Sequence, residues 1–189
     1  MIKCSAIILA GGKSSRMNYN PKGLLKFKDK KFIDREIEAL KDFSEIIISS
    51  NDYRINNEYK SFHIIKDIIK DIGPMGGFYS CLNEIKEEKS IIVSCDMPFL
   101  NKDILNKLGS IKFEEDCLIP LVDGEIEPFC GVYKKKILKD IRKTIDGGNY
   151  SLRRFIKTLN VKFICIEDNN NFININTVED YNNLLKEDK

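Results

Sequence analysis

The stretch AIILAGGKSSRM, residues 6–17, decides the fold of this chain. Residues 6–10 are apolar and predict a buried β-strand, which ends at the adjacent glycines Gly11 and Gly12. Hydroxyl and cationic residues follow, as is typical of a turn. Because a strand that opens into such a turn presents backbone N–H groups to an anion, the chain is expected to begin with a phosphate-binding loop.

The two commonest phosphate-binding motifs do not fit this loop. A Walker A loop needs a glycine five positions before Gly12, where this chain has Ile7. The dinucleotide pattern GxGxxG fails because Gly11 and Gly12 are adjacent and Ser14 stands where a later glycine is needed. A plain strand-to-helix turn is the alternative interpretation, although such a turn does not require the cations that follow the glycines.

The bulk composition limits the class of protein. The chain has 189 residues, 42% of them hydrophobic, which is enough for one globular domain with a sizeable core. Its 31 basic and 29 acidic residues leave a net charge of +2, which argues against a general nucleic-acid binder. We expect the cytoplasm as the compartment, because no apolar run could span a bilayer and the first strand leaves no room for a signal peptide.

The cysteines are interpreted as packing residues. None of the six forms a CxxC pair, and His63 is the only histidine, so no zinc site is expected. Cys4, Cys95 and Cys165 lie in apolar, strand-like runs and are expected to be small core residues in a reducing compartment. No base lies near Cys95 in sequence, which favours packing over thiol chemistry at that position.

Strand-like and helix-like segments alternate along the chain. Apolar runs predict strands at 2–10, 45–49, 62–65, 90–94, 118–122, 128–133 and 161–166. Helical spacing predicts helices at 32–40, 52–59, 76–85, 102–108, 136–145, 151–159 and 177–185. This alternation predicts an α/β fold with a mostly parallel sheet and helices on both faces, in which ligands bind beyond the carboxyl ends of the strands.

A lysine and an aspartate could supply the cation and the metal ligand of a phosphate site. Lys22 stands between Pro21 and Gly23, and a cation held in this turn could reach phosphates bound by the first loop. Asp96 follows the fourth predicted strand at its carboxyl end, where a carboxylate opposite phosphates is suited to hold Mg²⁺. The alternatives are an exposed lysine and an aspartate that initiates a proline-containing turn.

Glycines and a further aspartate mark a third segment. The glycines within residues 73–77 allow close backbone approach or positive φ, and Gly76 and Gly77 open a predicted helix. A capped loop is the alternative interpretation. Asp67, at the end of the third predicted strand, is similarly open to a functional or a structural role.

Two asparagines mark a fourth segment, residues 172–177. Alternation is expected to place Asn174 and Asn176 on the same face. Ile173 and Ile175 are expected on the opposite face. Asn176-Thr177 also resembles the N-cap of the last helix, with Glu179 and Asp180 in its first turn, and capping would explain Asn176 but not Asn174.

In this order, the segments resemble the nucleotidylyltransferase superfamily and, within it, the molybdenum cofactor guanylyltransferase (MobA) family. The resemblance covers nearly the whole chain. It rests on the motifs LAGG (9–12), SRM (15–17), KGLL (22–25), GPMGG (73–77), CDMP (95–98) and NINT (174–177). It implies a Rossmann-like three-layer fold and a single nucleotidyltransferase domain over residues 1–189.

The resemblance also implies site residues. The implied nucleotide- and substrate-binding residues are Leu9, Ala10, Gly11, Gly12, Lys22, Ser49, Asp67, Asp96, Asn174 and Asn176. Arg16, Lys22 and Asp96 would be catalytic, and Asp96 would bind Mg²⁺. Ser49 stands where the family tends to have asparagine, with Asn51 two residues further on. The asparagines of the fourth segment would lie near the pterin phosphate or the metal.

The implied reaction is nucleotidyl transfer. The terminal phosphate of molybdopterin would attack the α-phosphorus of GTP, pyrophosphate would leave, and the guanine dinucleotide form of the molybdenum cofactor would result. Because this nucleophile is already an anion, positioning and charge neutralisation suffice and no general base is required. The implied partners are GTP, Mo-molybdopterin, and proteins of molybdenum insertion and molybdoenzyme maturation, without nucleic acid or membrane.

Two other functions remain open from the sequence. The first is another nucleotidylyltransferase, of the CTP-dependent molybdopterin or sugar-phosphate type. Related enzymes that use pyrimidine triphosphates tend to carry Ala-Ala-Gly in the first loop, so Gly11-Gly12 favours GTP. The second is a non-catalytic nucleotide-binding module, which the presence of both Lys22 and Asp96 disfavours. Arg153 and Arg154 could meet the pterin phosphate, or they could simply be solvated residues at a helix start.

Overall fold

A computed structural model describes residues 1–11, 20–167 and 170–186. The strands in these ranges are β1 Ile2–Leu9, β2 Lys26–Phe27, β3 Lys30–Lys31, β4 Phe43–Ser49, β5 His63–Ile65, β6 Lys89–Ser94, β7 Cys117–Val122, β8 Glu125–Ile126, β9 Val132–Lys134 and β10 Val161–Ile166. The helices are α1 Phe32–Ala39, α2 Tyr53–Glu58, α3 Pro74–Glu84, α4 Lys102–Ser110, α5 Leu138–Asp146, α6 Leu152–Ile156 and α7 Val178–Lys186. Among the described residues, no helix has the length and apolar character needed to cross a membrane.

The large sheet has the strand order β10-β7-β9-β6-β1-β4-β5, with β8 beside β7. β1 pairs in parallel with β4 and β6, β4 pairs in parallel with β5, and β7 with β10. β9 is antiparallel to both of its neighbours, β6 and β7. Strands β2 and β3 form a separate hairpin. The mostly parallel sheet predicted from the sequence is therefore confirmed.

β1 is covered on both faces. Cys4, Ala6 and Ile8 pack in a cluster that includes residues of α1, α2 and α4. Ile7 and Leu9 pack in a second cluster with residues of α3, α5 and α6. Because neither face of the strand meets water from Cys4 to Leu9, its apolar run is continuous rather than alternating. Helices on both faces complete the three predicted layers.

The register aligns the ends of four parallel strands in one row. Leu9 pairs with both Ser49 and Ser94, and Ser49 pairs with Ile65. The backbone contact extends past the strand ends, since the N–H of Ala10 donates to the carbonyl of Ser49 at 2.9 Å. The segments that follow β1, β4, β5 and β6 therefore meet at one carboxyl edge of the sheet.

The strand predicted over residues 128–133 is wrong in its first half. Residues Pro128–Cys130 form a 3₁₀ turn, and β9 begins only at Val132. Glu127 starts this turn, because its side chain accepts a hydrogen bond from the N–H of Phe129, and proline is favoured at the first helical position. An apolar run of this length does not distinguish a strand from a short buried turn.

The expected core position of Cys165 is also wrong. β10 is the last strand in the sheet order, and Phe163 and Cys165 on one of its faces are exposed. Cys4 and Cys95 are buried as expected. Burial raises the pKa of the Cys4 thiol to about 12, which agrees with a packing role.

Candidate active site

Lys22 joins two other segments of the chain at the carboxyl edge. It begins the 3₁₀ turn Lys22–Leu24, which follows the extended residue Pro21. Its Nζ donates to Oδ2 of Asp96 at 3.0 Å and to Oδ1 of Asn176 at 2.8 Å. The side chains of Lys22 and Asp96 are 21% and 20% exposed, so the pair lies in a recess that remains open to solvent.

Asp96 is fixed by backbone bonds on both sides. The N–H of Cys95 donates to the carbonyl of Leu9 at 3.3 Å, which extends the pairing of β6 with β1. The carbonyl of Asp96 accepts from the N–H of Ile175 at 2.7 Å. These bonds place the Asp96 carboxylate between the end of β1 and the segment that carries Asn176.

Asn176 is held in place by the start of α7. Oδ2 of Asp180 accepts from the N–H groups of Asn176 and Thr177 at 2.9 and 2.8 Å, and the N–H of Asp180 donates to Oγ1 of Thr177 at 3.1 Å. This reciprocal pattern is a capping box with Thr177 as the N-cap. The cap predicted at Asn176-Thr177 is therefore confirmed at Thr177, whereas the side chain of Asn176 accepts a hydrogen bond from Lys22. The same hydrogen bonds hold the pKa of Asp180 below its usual range.

Asn174 does not share these contacts. It is exposed, and its Nδ2 donates to the carbonyl of Phe172 at 3.3 Å, within its own segment. Ile175 is buried but Ile173 is 45% exposed, so the two isoleucines do not share a buried face. The alternation expected for this segment is wrong because residues 173–176 form no strand.

A second polar cluster lies at the ends of β4 and β5. Ser49 is buried, and Oδ1 of Asn51 accepts from the N–H of Asp67 at 3.1 Å. Burial raises the pKa of the Asp67 carboxyl, while hydrogen bonds with Asn51 and Ser49 offset part of the rise. The structure thus brings the predicted residues Ser49 and Asp67 together, and it adds Asn51 to them.

The glycines at the start of α3 permit this cluster to form. A Cβ on Gly77 would collide with Oγ of Ser49 and lie 3.3 Å from Oδ1 of Asp67. A Cβ on Gly76 would lie 2.6 Å from the carbonyl oxygen of Ile69. Glycine is therefore required at both positions because the start of α3 lies too close to Ser49 and Ile69 to leave room for a side chain.

The described part of the first loop offers mainly its backbone. The side chains of Leu9 and Ala10 are 6% and 8% exposed and belong to the core clusters on either face of the sheet. Gly11 is exposed at the edge. The predicted site residues Gly12 and Arg16 lie outside the described residues.

Glu127 is a candidate site residue that the sequence analysis missed. Burial raises the pKa of its carboxyl, nearby Arg153 lowers it, and Asp96 raises it further. Arg153 also forms an ion pair with the exposed Glu125, at 3.7 Å. Glu127 and Arg153 therefore lie near each other on the β7–β9 side of Asp96. The strand prediction over 128–133 concealed the turn that brings Glu127 to this edge.

The oxygen donors beside Lys22 fit a magnesium ion that shares its ligands with a substrate. Within residues 1–11, 20–167 and 170–186, no group of three or more His, Cys, Asp or Glu side chains could hold a metal. Asp96 and Asn176 instead supply one carboxylate and one amide oxygen, both bonded to Lys22. Mg²⁺ commonly binds through one or two carboxylates and completes its coordination with phosphate oxygens and waters.

Comparison with known proteins identifies the family. The model of the MobA-like NTP transferase domain matches residues 6–163. The chain belongs to the MobA-like NTP transferase family. It is accordingly a nucleotidyltransferase, a class of enzyme that generally needs a divalent metal.

Relatives of this MobA-like transferase carry more specific names. A "Probable molybdenum cofactor guanylyltransferase" of Clostridium perfringens (strain 13 / Type A) is 46% identical over 198 residues, covering 98% of each chain. A protein of the same name from Flavobacterium johnsoniae is 33% identical over 186 residues, covering 95% of each. The crystal structure of molybdopterin-guanine dinucleotide biosynthesis protein A from Archaeoglobus fulgidus has a TM-score of 0.82 at 23% identity, covering 96% of this chain and 97% of that one. That structure supports the fold.

Proposed function

We propose that this protein transfers GMP from GTP to the molybdopterin of the molybdenum cofactor and releases pyrophosphate. The observation that carries the proposal is the contact of Lys22 with Asp96 and Asn176 at the carboxyl edge of a parallel sheet. The names of the relatives at 46% and 33% identity support the choice of substrates. We also propose that residues 1–189 act as one nucleotidyltransferase domain. The cytoplasmic compartment expected from the sequence stays a prediction.

The Lys22–Asp96 contact is suited to an exchange of partners when substrate binds. Asp96 would bind Mg²⁺, which supplies charge neutralisation between the phosphates of the nucleotide. Lys22 would then turn from the carboxylate to the triphosphate, where its charge stabilises the pyrophosphate that leaves. Asn176 accepts a hydrogen bond from Lys22 and would keep its ammonium group at the edge during this exchange.

The cluster of Ser49, Asn51 and Asp67 is suited to the nucleoside. Asp67 is half-buried beside the first turn of α3, and its N–H is held by Asn51. A carboxylate in such a position can accept hydrogen bonds from hydroxyl or ring N–H groups. We propose that Asp67 contacts the guanine nucleotide and that the backbone of residues 9–11 lies along it.

The acceptor would approach from the opposite side of Asp96. Asn174 is exposed on the segment before α7, and Arg153 is exposed on α6. An arginine is suited to a phosphate because its planar group can donate two hydrogen bonds at once. The attacking phosphate is already an anion, so this step needs orientation rather than a base. Molybdenum-insertion and molybdoenzyme-maturation proteins are the partners that this reaction implies.

A pyrophosphate-release assay tests the proposal. Each of the four nucleoside triphosphates is supplied with Mg²⁺, with and without molybdopterin, and EDTA serves as the metal-free control. We expect release with GTP and molybdopterin only, and none with EDTA. Release with CTP or with a sugar phosphate would instead assign a different nucleotidylyltransferase. Nucleotide binding without release for any acceptor would indicate a binding module.

A further inference from the structure

Glu36 is a buried acid that the reaction proposed above does not use. It lies on α1 and is 1% exposed. Within the described part of the chain, neither of its carboxyl oxygens has a hydrogen-bond partner. A buried polar group without a partner lowers stability, and native proteins hold few of them. Its presence therefore calls for a reason other than stability.

The position of Glu36 supplies such a reason. Its carboxyl lies close enough to the thiol of Cys95, the residue before Asp96, for each group to affect the other's pKa, although no hydrogen bond of normal geometry joins them. The same thiol closes the space over the Lys22 turn, because a Cβ on Gly23 would lie 3.3 Å from Sγ of Cys95. The same Cβ on Gly23 would lie 3.5 Å from Cβ of Ile33, which is one helical turn before Glu36. The carboxyl thus lies beneath both segments that form the Lys22–Asp96 contact.

Glu36 differs from an aliphatic residue of similar size in its polarity. Burial raises the pKa of its carboxyl well above the usual value, because a negative charge is unfavourable away from water. A carboxyl beside a thiol has a preferred orientation, which an aliphatic side chain does not have. Replacing it by leucine would therefore fill the same space while removing that orientation.

We propose that Glu36 is a positioning residue: set against Cys95 beneath Gly23, its polar side chain fixes the separation of the segments that carry Lys22 and Asp96. The inference rests on the proposed function in one respect, that Asp96 and Lys22 bind a metal–GTP complex. Its direct consequence is that Glu36 stabilises a metal and nucleotide site that it does not touch.

Three variants test this role. Glu36→Leu keeps the volume and removes the polar group, whereas Glu36→Gln keeps a polar group of the same shape. Ser90→Ala is the matched control, because Oγ of Ser90 is also buried without a partner among the described residues but lies at the other end of β6. The measurements are the melting temperature, Mn²⁺ binding in the presence of GTP by electron paramagnetic resonance, and kcat and KM.

We expect Glu36→Leu to melt at or above the wild-type temperature but to bind Mn²⁺ about tenfold more weakly, as when groups behind a metal ligand are changed. Glu36→Gln should restore Mn²⁺ binding to near the wild-type level. Ser90→Ala should gain stability without losing Mn²⁺ affinity. Should Glu36→Leu fold poorly, Cys95→Ala removes the other half of the contact and should weaken Mn²⁺ binding in the same direction.

The outcomes separate this inference from the proposed function. Wild-type Mn²⁺ binding and kcat in Glu36→Leu or Cys95→Ala would overturn the positioning role alone. A wild-type protein that binds Mn²⁺ with GTP but transfers no GMP would overturn the proposed function and leave the positioning role standing. A wild-type protein that does not bind Mn²⁺ with GTP would overturn both.

Discussion

Lys22 and Asp96 are separated by 74 positions in the chain, yet Nζ of Lys22 donates to Oδ2 of Asp96 at 3.0 Å. The pair forms because β1 and β6 are parallel neighbours, so the segments after both strands reach the same edge. Neither residue belongs to a regular strand or α-helix. The sheet topology, rather than local sequence, therefore brings a cation and a carboxylate into contact.

Lys22→Ala is expected to fold normally and to lose nearly all nucleotidyl transfer. Loss of a group that stabilises developing charge lowers kcat by about 10²–10³-fold. The ion pair is open to solvent, so its removal should change stability by less than about 1 kcal/mol. Asp96→Ala should behave in the same way. Steady-state kinetics and thermal melting check both variants, with the exposed Lys26→Ala as the control. Wild-type turnover by either variant would overturn its catalytic assignment.

The two asparagines of the fourth segment are expected to differ in effect. Asn176→Ala removes an acceptor of Lys22 and should weaken binding of GTP with Mg²⁺. Asn174→Ala removes a side chain that donates a hydrogen bond to the carbonyl of Phe172, within its own segment, and should leave nucleotide affinity unchanged. Calorimetric titration with GTP and Mg²⁺ compares the two. Equal losses would mean that the Lys22 contact does not matter for the nucleotide.

Gly77→Ala is expected to destabilise the protein and to disturb Asp67. The added methyl would collide with Oγ of Ser49, and overpacking of this kind costs about 1–3 kcal/mol. For a chain of this size that corresponds to a fall in Tm of roughly 2–12 °C. Gly147→Ala is the control, because a Cβ there meets only carbonyl oxygens at 3.4 and 3.5 Å.

A double mutant separates the collision at Gly77 from other effects of the added methyl. Ser49→Ala combined with Gly77→Ala removes the hydroxyl that the methyl would meet. The double variant should therefore melt above Gly77→Ala alone, which would appear as a favourable coupling energy in a double-mutant cycle. Additive effects of the two substitutions would show that the collision is not the cause.

The stability of the protein is expected to depend on pH through Glu36. Burial raises the folded-state pKa of this carboxyl above the unfolded value of about 4.3. Between the two values the folded protein holds a proton that the unfolded chain has released, so stability falls as pH rises through this window. Glu36→Gln cannot titrate, and its melting temperature relative to wild type should rise with pH from about 4 upward. A difference in melting temperature that stays constant with pH would contradict this prediction. For the control Ser90→Ala, the difference from wild type should stay constant.

The sequence predicted those features that depend on long apolar periodicity. β1, with its continuous apolar run, and α1, with its helical spacing, lie close to their predicted bounds. The strands β2, β3 and β8 were not predicted, because two residues are too few to give a period. The direction of β9 also could not be read from the sequence, since an apolar run is the same in either direction.

The candidate site was predicted in part. Lys22, Asp96 and Asn176 were named from the residues and from the family resemblance, and the structure brings them together. Asn51 was noted only as an asparagine two residues beyond Ser49, and Glu127 gave no signal, because the groups that these side chains contact depend on the fold. Glu36 was hidden in the polar pattern of a helix, where only the packing against Cys95 distinguishes it from a surface acid.

The capping box that fixes Asn176 has a consequence for synthesis of the protein. Lys22 is translated early, but its partner Asn176 and the cap residues Thr177 and Asp180 follow only after the entire sheet. Chains emerge in order from the amino terminus, so a nascent chain can pair β1 with β6 before this last segment is available. Until then Lys22 lacks one of its partners, and the nucleotide site proposed above is incomplete.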